Sequence, residues 1–328
     1  MNQVVPGLDP ANYRQHSLHG SARNWPETNC YTDVWIEILS VLKLPAEAML
    51  GFTVRQDFEG DQFTFFKPPL EDLESLYDIN VTELSIFDDV EKHALTQIQR
   101  GRMALVEADS YWLPDTRGVT YQISHGKTTI GINGLDPASK RMTYFHNAGY
   151  FALEGDDYEG VFGRMNTVEG AVRLFPYVEF VKLPARMRQP KLSDSMRLLE
   201  HHLLRRPRTN PFLEWQRALP VQLDELMQRP EGYFHIYAFN TLRQFGANYD
   251  LLAAHLEWLQ RGAGAALQEG ITAAQFISTS AKAMQFQLAR AMARRRFEGL
   301  AGLITPVAEH YQILMAKLDA YVGVKRAA

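Results

Sequence analysis

The stretch that decides the fold of the first half is Trp25–Asp33, with the sequence WPETNCYTD. It follows an N-terminal segment rich in glycine, proline and asparagine, and it leads into an amphipathic run with apolar residues at helical spacing. Thr28 and Asn29 are candidate caps, so a helix is predicted to begin at Cys30, the only cysteine of the chain. The N–H groups and dipole of a helix start stabilise negative charge, which predicts a reactive thiol there.

The pattern changes twice after this helix. Several strand candidates precede a helical second half; they are Asp61–Lys67, Met103–Ala108, Val119–Ile123, Thr128–Ile132 and Arg141–His146. From about Lys191 onward only helical signals remain, with Gly246 predicted to separate two helices. This order predicts an α+β fold, in which a helix carrying the cysteine packs on an antiparallel sheet and an all-α half follows. The predicted domains are residues 1–188 and 189–328, because prolines flank a basic linker at this point.

Composition restricts the function classes. The chain has 328 residues, a net charge of −4 and a single cysteine. Two domains are expected at this length, and the acidic balance argues against a nucleic-acid-binding protein. One cysteine excludes an internal disulfide framework and fits a reducing compartment. Because the N-terminus does not have the pattern of a signal peptide and no apolar run reaches spanning length, we predict a cytoplasmic protein without membrane association.

A histidine and an asparagine further along the chain supply the other two residue types that a cysteine-nucleophile site needs. His125 would act as the base, and Asn147 would orient its imidazole. A lone cysteine is more often a small buried side chain, but the helix start and this downstream pair favour a catalytic interpretation. His146 is an alternative base. Neighbouring strand residues face opposite sides, so His146 and Asn147 share a cleft only if the strand has ended, and the choice of base stays open.

The oxyanion hole of such a site would use the Cys30 backbone N–H together with a side-chain donor. Asn24 is the nearest candidate for that donor, and Gln62 is a second. Asp109 ends a strand beside a turn and is a candidate for a supporting or substrate-amine contact, although its position favours a capping role over either of these.

Two further clusters of charged or metal-binding residue types occur in the sequence. A basic stripe could dock an acidic protein partner, although such a run is usually a solvated face; it consists of Arg290, Arg294, Arg295 and Arg296. His16 and His19 form a weak HxxH pattern without a third ligand, so no metal site is predicted.

The residues around Cys30 and three later stretches resemble the papain-like superfamily. The stretches are Glu107–Pro114, His125–Ile130 and Tyr144–Asn147. The likeness is to the C39-type bacteriocin-processing peptidases, and more closely to the N-terminal domain of the butirosin-pathway acyltransferase. This resemblance implies that Cys30 is the nucleophile, His125 the base and Asn147 the orienting residue. Asn24 would take the place of the usual oxyanion-hole glutamine. This is a departure from the family pattern, because asparagine is shorter than glutamine by one methylene.

The full chain also resembles an uncharacterised bacterial family of unknown function, encoded beside amino acid:carrier-protein ligases. Together the resemblances imply a cysteine-dependent acyltransferase. It would move an aminoacyl group from a thioester on a carrier protein's phosphopantetheine arm to a small amine or amino acid, with no cofactor bound to the enzyme. Two alternatives remain open: a cysteine peptidase or amidase, and a non-catalytic protein that binds the carrier protein.

Overall fold

A computed structural model of the chain describes residues 2–27, 29–165, 175–230, 232–264, 267–296 and 299–323. It divides into two compact units. The first unit comprises residues 1–17, 29–45 and 73–189, and the second comprises residues 18–28, 46–72 and 190–328. The N-terminal half contains an antiparallel sheet and the C-terminal half is mostly helical, so the predicted α+β class is confirmed.

The first unit is built on one sheet, which has seven strands in the described part of the chain. They are β1 (Asn2–Gln3), β2 (Asn80–Glu83), β3 (Arg102–Asp109), β4 (Lys127–Asp136), β5 (Arg141–His146), β6 (Gly149–Glu154) and β7 (Val178–Lys182). The order is β2-β7-β3-β4-β5-β6, and β1 pairs with the end of β4. Every pairing is antiparallel. The sheet thus places β4 at the centre, between β3 and β5.

Helices cover both faces of this sheet. They are α1 (Cys30–Val41), α3 (Val90–Gln99) and α4 (Asp156–Val161), while α2 (Leu70–Tyr77) contributes residues to both units. On one face Gly131 allows α1 to approach closely, because a Cβ there would lie 3.2 Å from Val34. On the opposite face Ala94 of α3 packs into a core with Ile130 and Ile132. Burial on both faces explains why β4 lacks the alternation of a half-exposed strand.

The second unit is helical. Its helices are α5 (Leu192–Leu203), α6 (Pro211–Met227), α7 (Tyr233–Ala238), α8 (Gln244–Ala263), α9 (Gln268–Arg294) and α10 (Thr305–Val322). An aromatic cluster forms part of its core: the Phe63 ring lies 5.7 Å from that of Phe212, 5.6 Å from that of Trp215 and 5.2 Å from that of Phe245. Such offset contacts between large rings contribute strongly to a helical core.

The predicted strand Asp61–Lys67 is wrong. Its only strand-like contact in the described part of the chain is an isolated bridge between Phe58 and Phe63. The apolar character of the segment has another cause, since Phe63 is inserted among the aromatic rings of the helical unit. Burial against helices therefore produced a pattern that resembled a strand.

The predicted strand Val119–Ile123 is also wrong. This segment forms consecutive turns, in which the N–H groups of Val119, Thr120 and Tyr121 all donate to the Thr116 carbonyl. Val119 is 73% exposed and Ile123 is 66% exposed. The β-branched composition suggested a strand, but no neighbouring strand buries these side chains.

The predicted helix break at Gly246 is absent. A π-helical turn at Phe239–Arg243 joins α7 to α8, and Gly246 lies inside α8. The glycine is there because Trp25 packs against it: an added Cβ would lie 2.6 Å from the indole ring. Close packing, not helix termination, explains this residue.

Candidate active site

Cys30 is the first residue of α1, as the sequence predicts. Asn29 is the N-cap, and its side-chain oxygen accepts a hydrogen bond of 2.9 Å from the Thr32 N–H. The other predicted cap, Thr28, lies outside the described residues. As the first helical residue, Cys30 has a backbone N–H without an intrahelical acceptor, which leaves this donor available at the helix start.

The thiol of Cys30 is partly buried and lies over strand β4. Its sulfur is 3.8 Å from the hydroxyl oxygen of Thr129, within reach of a weak S–H···O hydrogen bond. This is the only hydrogen bond of the thiol among the residues that the structure describes. The hydrogen-bond partner of the thiol is thus a hydroxyl rather than an imidazole.

The sheet face below the thiol carries paired charges. Side chains alternate along a strand, so Lys127 and Thr129 face the same side of β4. Thr129 is the cross-strand partner of Glu107, and Lys127 is the partner of Asp109. The Lys127 ammonium lies 2.5 Å from the Glu107 carboxylate. Polar and charged groups therefore continue from the thiol towards the start of β4.

His125 lies just before β4 and pairs with Asp109. Its Nδ1 is 2.5 Å from Asp109 Oδ2, and its ring stacks on Tyr111 with centroids 4.6 Å apart. The other Asp109 oxygen accepts hydrogen bonds of 3.1 Å from the N–H groups of Gly126 and Tyr111. Asp109 thus orients the imidazole, the role for which sequence reasoning chose Asn147. The His125 side chain is 69% exposed, so Nε2 is accessible to a substrate.

The structure does not bring the predicted nucleophile and base into contact. The sulfur of Cys30 is bonded to Thr129, and His125 is bonded to Asp109. Thr129 lies four positions after His125, which corresponds to about 13 Å of extended chain. A direct proton transfer between the two groups needs a much shorter distance.

Asn147 occupies the turn between β5 and β6 with a φ of +44°. Asparagine tolerates this left-handed conformation better than most residues, and tight hairpins require it. In the described residues it makes no hydrogen bond to His125, whose Nδ1 is bonded to Asp109. The geometry therefore gives Asn147 a turn-forming role, and its predicted orienting contact is not formed.

His146 belongs to a buried hydrogen-bonded chain. Its Nε2 lies 2.8 Å from the Thr128 hydroxyl, and its Nδ1 lies 2.5 Å from Asp115 Oδ2. Tyr144 donates to the second oxygen of Asp115. Burial, followed by the charge of Asp115, raises the pKa of Tyr144, so its hydroxyl stays protonated as a donor. Sequence reasoning missed Asp115 and Thr128, which lie in a turn and on a neighbouring strand.

This chain faces away from Cys30. Thr128 and Thr129 are neighbours on β4 and point to opposite faces, with His146 beside the first and the thiol beside the second. The side chain of His146 is only 2% exposed. His146 thus fits a structural role that anchors the loop between β3 and β4 better than the role of alternative base.

The two predicted oxyanion-hole side chains lie in the second unit. Asn24 donates from Nδ2 to the Ser278 hydroxyl at 3.1 Å. Gln62 is in the loop that follows the Phe58 bridge and lines a cavity of the helical unit. Each residue therefore has a defined environment within its own unit.

Sequence models of the DUF1839 N-terminal domain and the DUF1839 C-terminal domain match residues 14–183 and 188–320. The chain belongs to the DUF1839 family. The N-terminal model includes Cys30, His125, His146 and Asn147, and the C-terminal model includes the predicted basic stripe. A comparison with curated proteins finds no match.

The basic stripe occupies the C-terminal end of α9 and the residues just beyond it. It consists of Arg290, Arg294, Arg295 and Arg296, all exposed. None of the four forms an ion pair with another described residue. Cations near a helix C-terminus interact favourably with its dipole, which accounts for part of this clustering.

No group of three or more His, Cys, Asp or Glu side chains within the described ranges could hold a metal ion. No described helix is long and apolar enough to span a membrane.

Proposed function

We propose that this DUF1839 protein is a cysteine-dependent acyltransferase that accepts an aminoacyl group on Cys30 and passes it to an amine. The observation that carries the proposal is the position of the only cysteine at the first residue of α1, partly buried, on the sheet face that leads to the His125–Asp109 pair. A helix start stabilises both a thiolate and the oxyanion of a tetrahedral intermediate. The papain-like resemblance of the Cys30 segment supports the same reading.

In the first step the Cys30 thiolate attacks the carbonyl carbon of a thioester on a carrier protein. A bond forms between Sγ and the carbonyl carbon, the bond to the phosphopantetheine sulfur breaks, and the released thiolate takes up a proton. Exchange between two thioesters is nearly isoenergetic, so positioning and exclusion of water supply most of the required catalysis. The backbone N–H of Cys30 is the proposed oxyanion donor.

In the second step an amine nitrogen attacks the Cys30 thioester. A C–N bond forms, the C–Sγ bond breaks, and the ammonium proton that must be removed passes to a base. His125 is the proposed base, because its Nε2 is exposed and Asp109 fixes its Nδ1. Because Sγ and the imidazole are apart in the structure, this step requires a conformational change that brings Nε2 of His125 to the acyl group on Cys30.

The proposed donor is an aminoacyl carrier protein, in the bacterial cytoplasm. The proposal rests on the resemblance of the whole chain to a family encoded beside amino acid:carrier-protein ligases. It is supported by four exposed arginines without ion pairs among the described residues, which suit an acidic partner. The arm of the carrier would be a substrate group and not a cofactor of this protein.

A second candidate function is carrier-protein binding without catalysis. One observation favours it: the sulfur of Cys30 contacts the hydroxyl of Thr129, and no base lies within hydrogen-bond distance of it in the described structure. A cysteine held by a hydroxyl on a sheet can be a packing residue. Hydrolysis by a peptidase or amidase remains the third alternative and differs from transfer only in using water as the acceptor.

One reaction series separates these functions. The protein is mixed with aminoacyl-loaded carrier proteins, with and without a panel of amines and amino acids, and the products are measured by mass spectrometry. Amide formation that is lost in Cys30→Ala supports transfer. Free amino acid as the sole product identifies a hydrolase. Equal binding of the carrier by the wild type and Cys30→Ala, with no product from either, identifies a binding protein and overturns the enzymatic proposal.

The base assignment has a matched control. His125→Ala should slow amide formation by about 100-fold, the lower end of the effect of a lost general base. His201→Ala removes another exposed histidine, on α5, and should leave the rate unchanged. Equal rates for the two variants would remove His125 from the mechanism.

A further inference from the structure

A cavity of about 550 Å³ lies within the helical unit. Its walls are α6, the α7 segment with the following π-helical turn, and the loop at residues 60–62. Gln222 connects these walls: it donates from Nε2 to the Asp61 carbonyl and accepts a 2.7 Å hydrogen bond from the Tyr237 hydroxyl. The volume is within the range that holds a small molecule.

Both helical walls are irregular where they border the cavity. Pro220 lies inside α6, flanked by the lining residues Ala218 and Val221. The opposite wall contains the π-helical turn, from which Asn240 and Thr241 line the cavity. A π-turn costs stability relative to a regular helix and is found frequently at functional sites. Two distortions that meet at one cavity therefore point to a role for it beyond packing.

The charges around the cavity have both signs and are unpaired. Glu225 lies in the last turn of α6, and Arg229 lies two residues beyond the end of that helix. Within the described part of the chain the two side chains form no ion pair with each other or with another residue, and the Arg229 guanidinium lies 5.0 Å from the ring centre of Tyr233. The carboxylate of Asp61, on the third wall, has no ion-pair partner among the described residues either.

Apolar side chains complete the lining and are unusually exposed. Val221 is 62% exposed and Ile236 is 53% exposed, on opposite walls of the cavity. Large apolar side chains that face a cavity rather than a core supply a surface for an apolar ligand group. The cavity thus combines one cationic group, two anionic groups and an apolar surface.

We propose that this cavity binds a free α-amino acid with an apolar side chain. Arg229 would bind the carboxylate, and Glu225 and Asp61 would bind the ammonium group. The ligand would thereby bridge the carboxylate of Glu225 and the guanidinium of Arg229, which are not paired with each other. Its side chain would lie against Val221 and Ile236. This binding site does not depend on the acyl-transfer proposal, because it requires nothing of Cys30.

The test is calorimetric titration of the full-length protein with a matched ligand series. L-Leucine, L-valine and L-phenylalanine are the expected ligands. Leucinamide lacks the carboxylate, N-acetyl-leucine lacks the ammonium group, 4-methylpentanoic acid lacks the amino group altogether, and glycine lacks the side chain. At least one apolar amino acid should bind at least about tenfold more tightly than its four counterparts. If none of the three binds at about 10 mM, or if the acetylated and free forms bind equally, the proposal is overturned.

Variants locate the site. Arg229→Gln and Glu225→Gln should each weaken binding of the amino acid by about tenfold or more, because each removes a charge-assisted contact. Arg217→Gln is the matched control: Arg217 is on α6, is paired with Glu214 at 2.8 Å and does not line the cavity. Thermal melting checks that each variant is folded. Equal affinity of Arg229→Gln and Arg217→Gln would place the binding elsewhere.

Cys30→Ala should bind the amino acid with the affinity of the wild type. Failure of the acyl-transfer proposal is therefore distinguishable from failure of this one.

Discussion

His125 and His146 each lie 2.5 Å from an aspartate oxygen, yet their environments are opposite. The side chain of the first is 69% exposed, whereas that of the second is 2% exposed. Removing one partner of a buried pair leaves an unsatisfied polar group in a site without water, while an exposed pair contributes little. Loss of the histidine–aspartate contact should therefore lower the free energy of unfolding much more at His146 than at His125.

His146→Ala should lower the free energy of unfolding by about 3 kcal/mol, because Asp115 and Thr128 both lose their bond to the imidazole. His125→Ala should lower it by less than about 1 kcal/mol. Urea unfolding followed by tryptophan fluorescence measures both values. Similar losses in the two variants would contradict the structural role assigned to His146.

At the residue scale, the sequence was informative about local features. The capping residue Asn29 and the start of the helix at Cys30 follow from short-range preferences that the structure bears out. The partners of the histidines could not be predicted in the same way. Asp109 meets His125 through the pairing of β3 with β4, and Asp115 meets His146 through a loop, so both contacts depend on tertiary structure.

Within helices, the two glycines Gly246 and Gly270 provide a matched comparison. A Cβ at Gly246 in α8 would lie 2.6 Å from Trp25, whereas a Cβ at Gly270 in α9 would have its nearest contact at 3.7 Å. Gly246→Ala should lower the stability by about 1–3 kcal/mol through overpacking. Gly270→Ala should be neutral or stabilise by up to about 1 kcal/mol through helix propensity. Thermal melting measures both, and destabilisation by Gly270→Ala alone would contradict this packing.

Helix α8 also carries a buried titratable group, His255. Its Nδ1 donates to the Glu47 carbonyl oxygen, 2.7 Å away, and its Nε2 has no hydrogen-bond partner among the described residues. Burial lowers the pKa of His255 to about 4. In the unfolded chain a histidine has a pKa near 6.5, so between these values the unfolded state binds more protons. Stability should therefore fall as the pH decreases from about 6.5 to about 4.

The contribution of His255 to this loss should reach about 3 kcal/mol at pH 4. His255→Gln keeps an amide donor for the Glu47 carbonyl but cannot titrate. Urea midpoints measured between pH 7 and pH 4.5 should decline less steeply in the variant than in the wild type. Parallel declines would show that His255 is not held neutral in the folded protein.

Helices and strands differed in how well the sequence predicted them. Strands β3, β4 and β5 were anticipated because each contains apolar, aromatic or β-branched residues next to turn signals. The segments 61–67 and 119–123 were mistaken for strands, since apolar composition does not reveal whether a helix, a sheet or solvent lies opposite. Strands β1, β2, β6 and β7 were missed; β1, β2 and β7 have between two and five residues, too few for a periodicity to be recognised.

At the scale of the whole molecule, the sequence predicted an α+β half followed by a helical half, and the structure confirms this class. It did not predict that residues 18–28 and 46–72 belong to the second compact unit. These segments have no distinctive composition. Their assignment depends on long-range packing, such as that of Trp25 on Gly246 or of Phe63 on Phe212, which a local pattern cannot encode.

If the protein is an acyltransferase, Cys30 carries an acyl group between the two steps. The protein is mixed briefly with aminoacyl-loaded carrier protein and quenched in acid before any acceptor amine is added. Intact mass spectrometry then measures directly whether Cys30 carries the aminoacyl group. The wild type should gain the mass of one aminoacyl group, the adduct should map to the peptide containing Cys30 and be released by hydroxylamine, and Cys30→Ala should gain nothing. An unmodified wild-type protein, or an adduct that persists in Cys30→Ala, would contradict the claim.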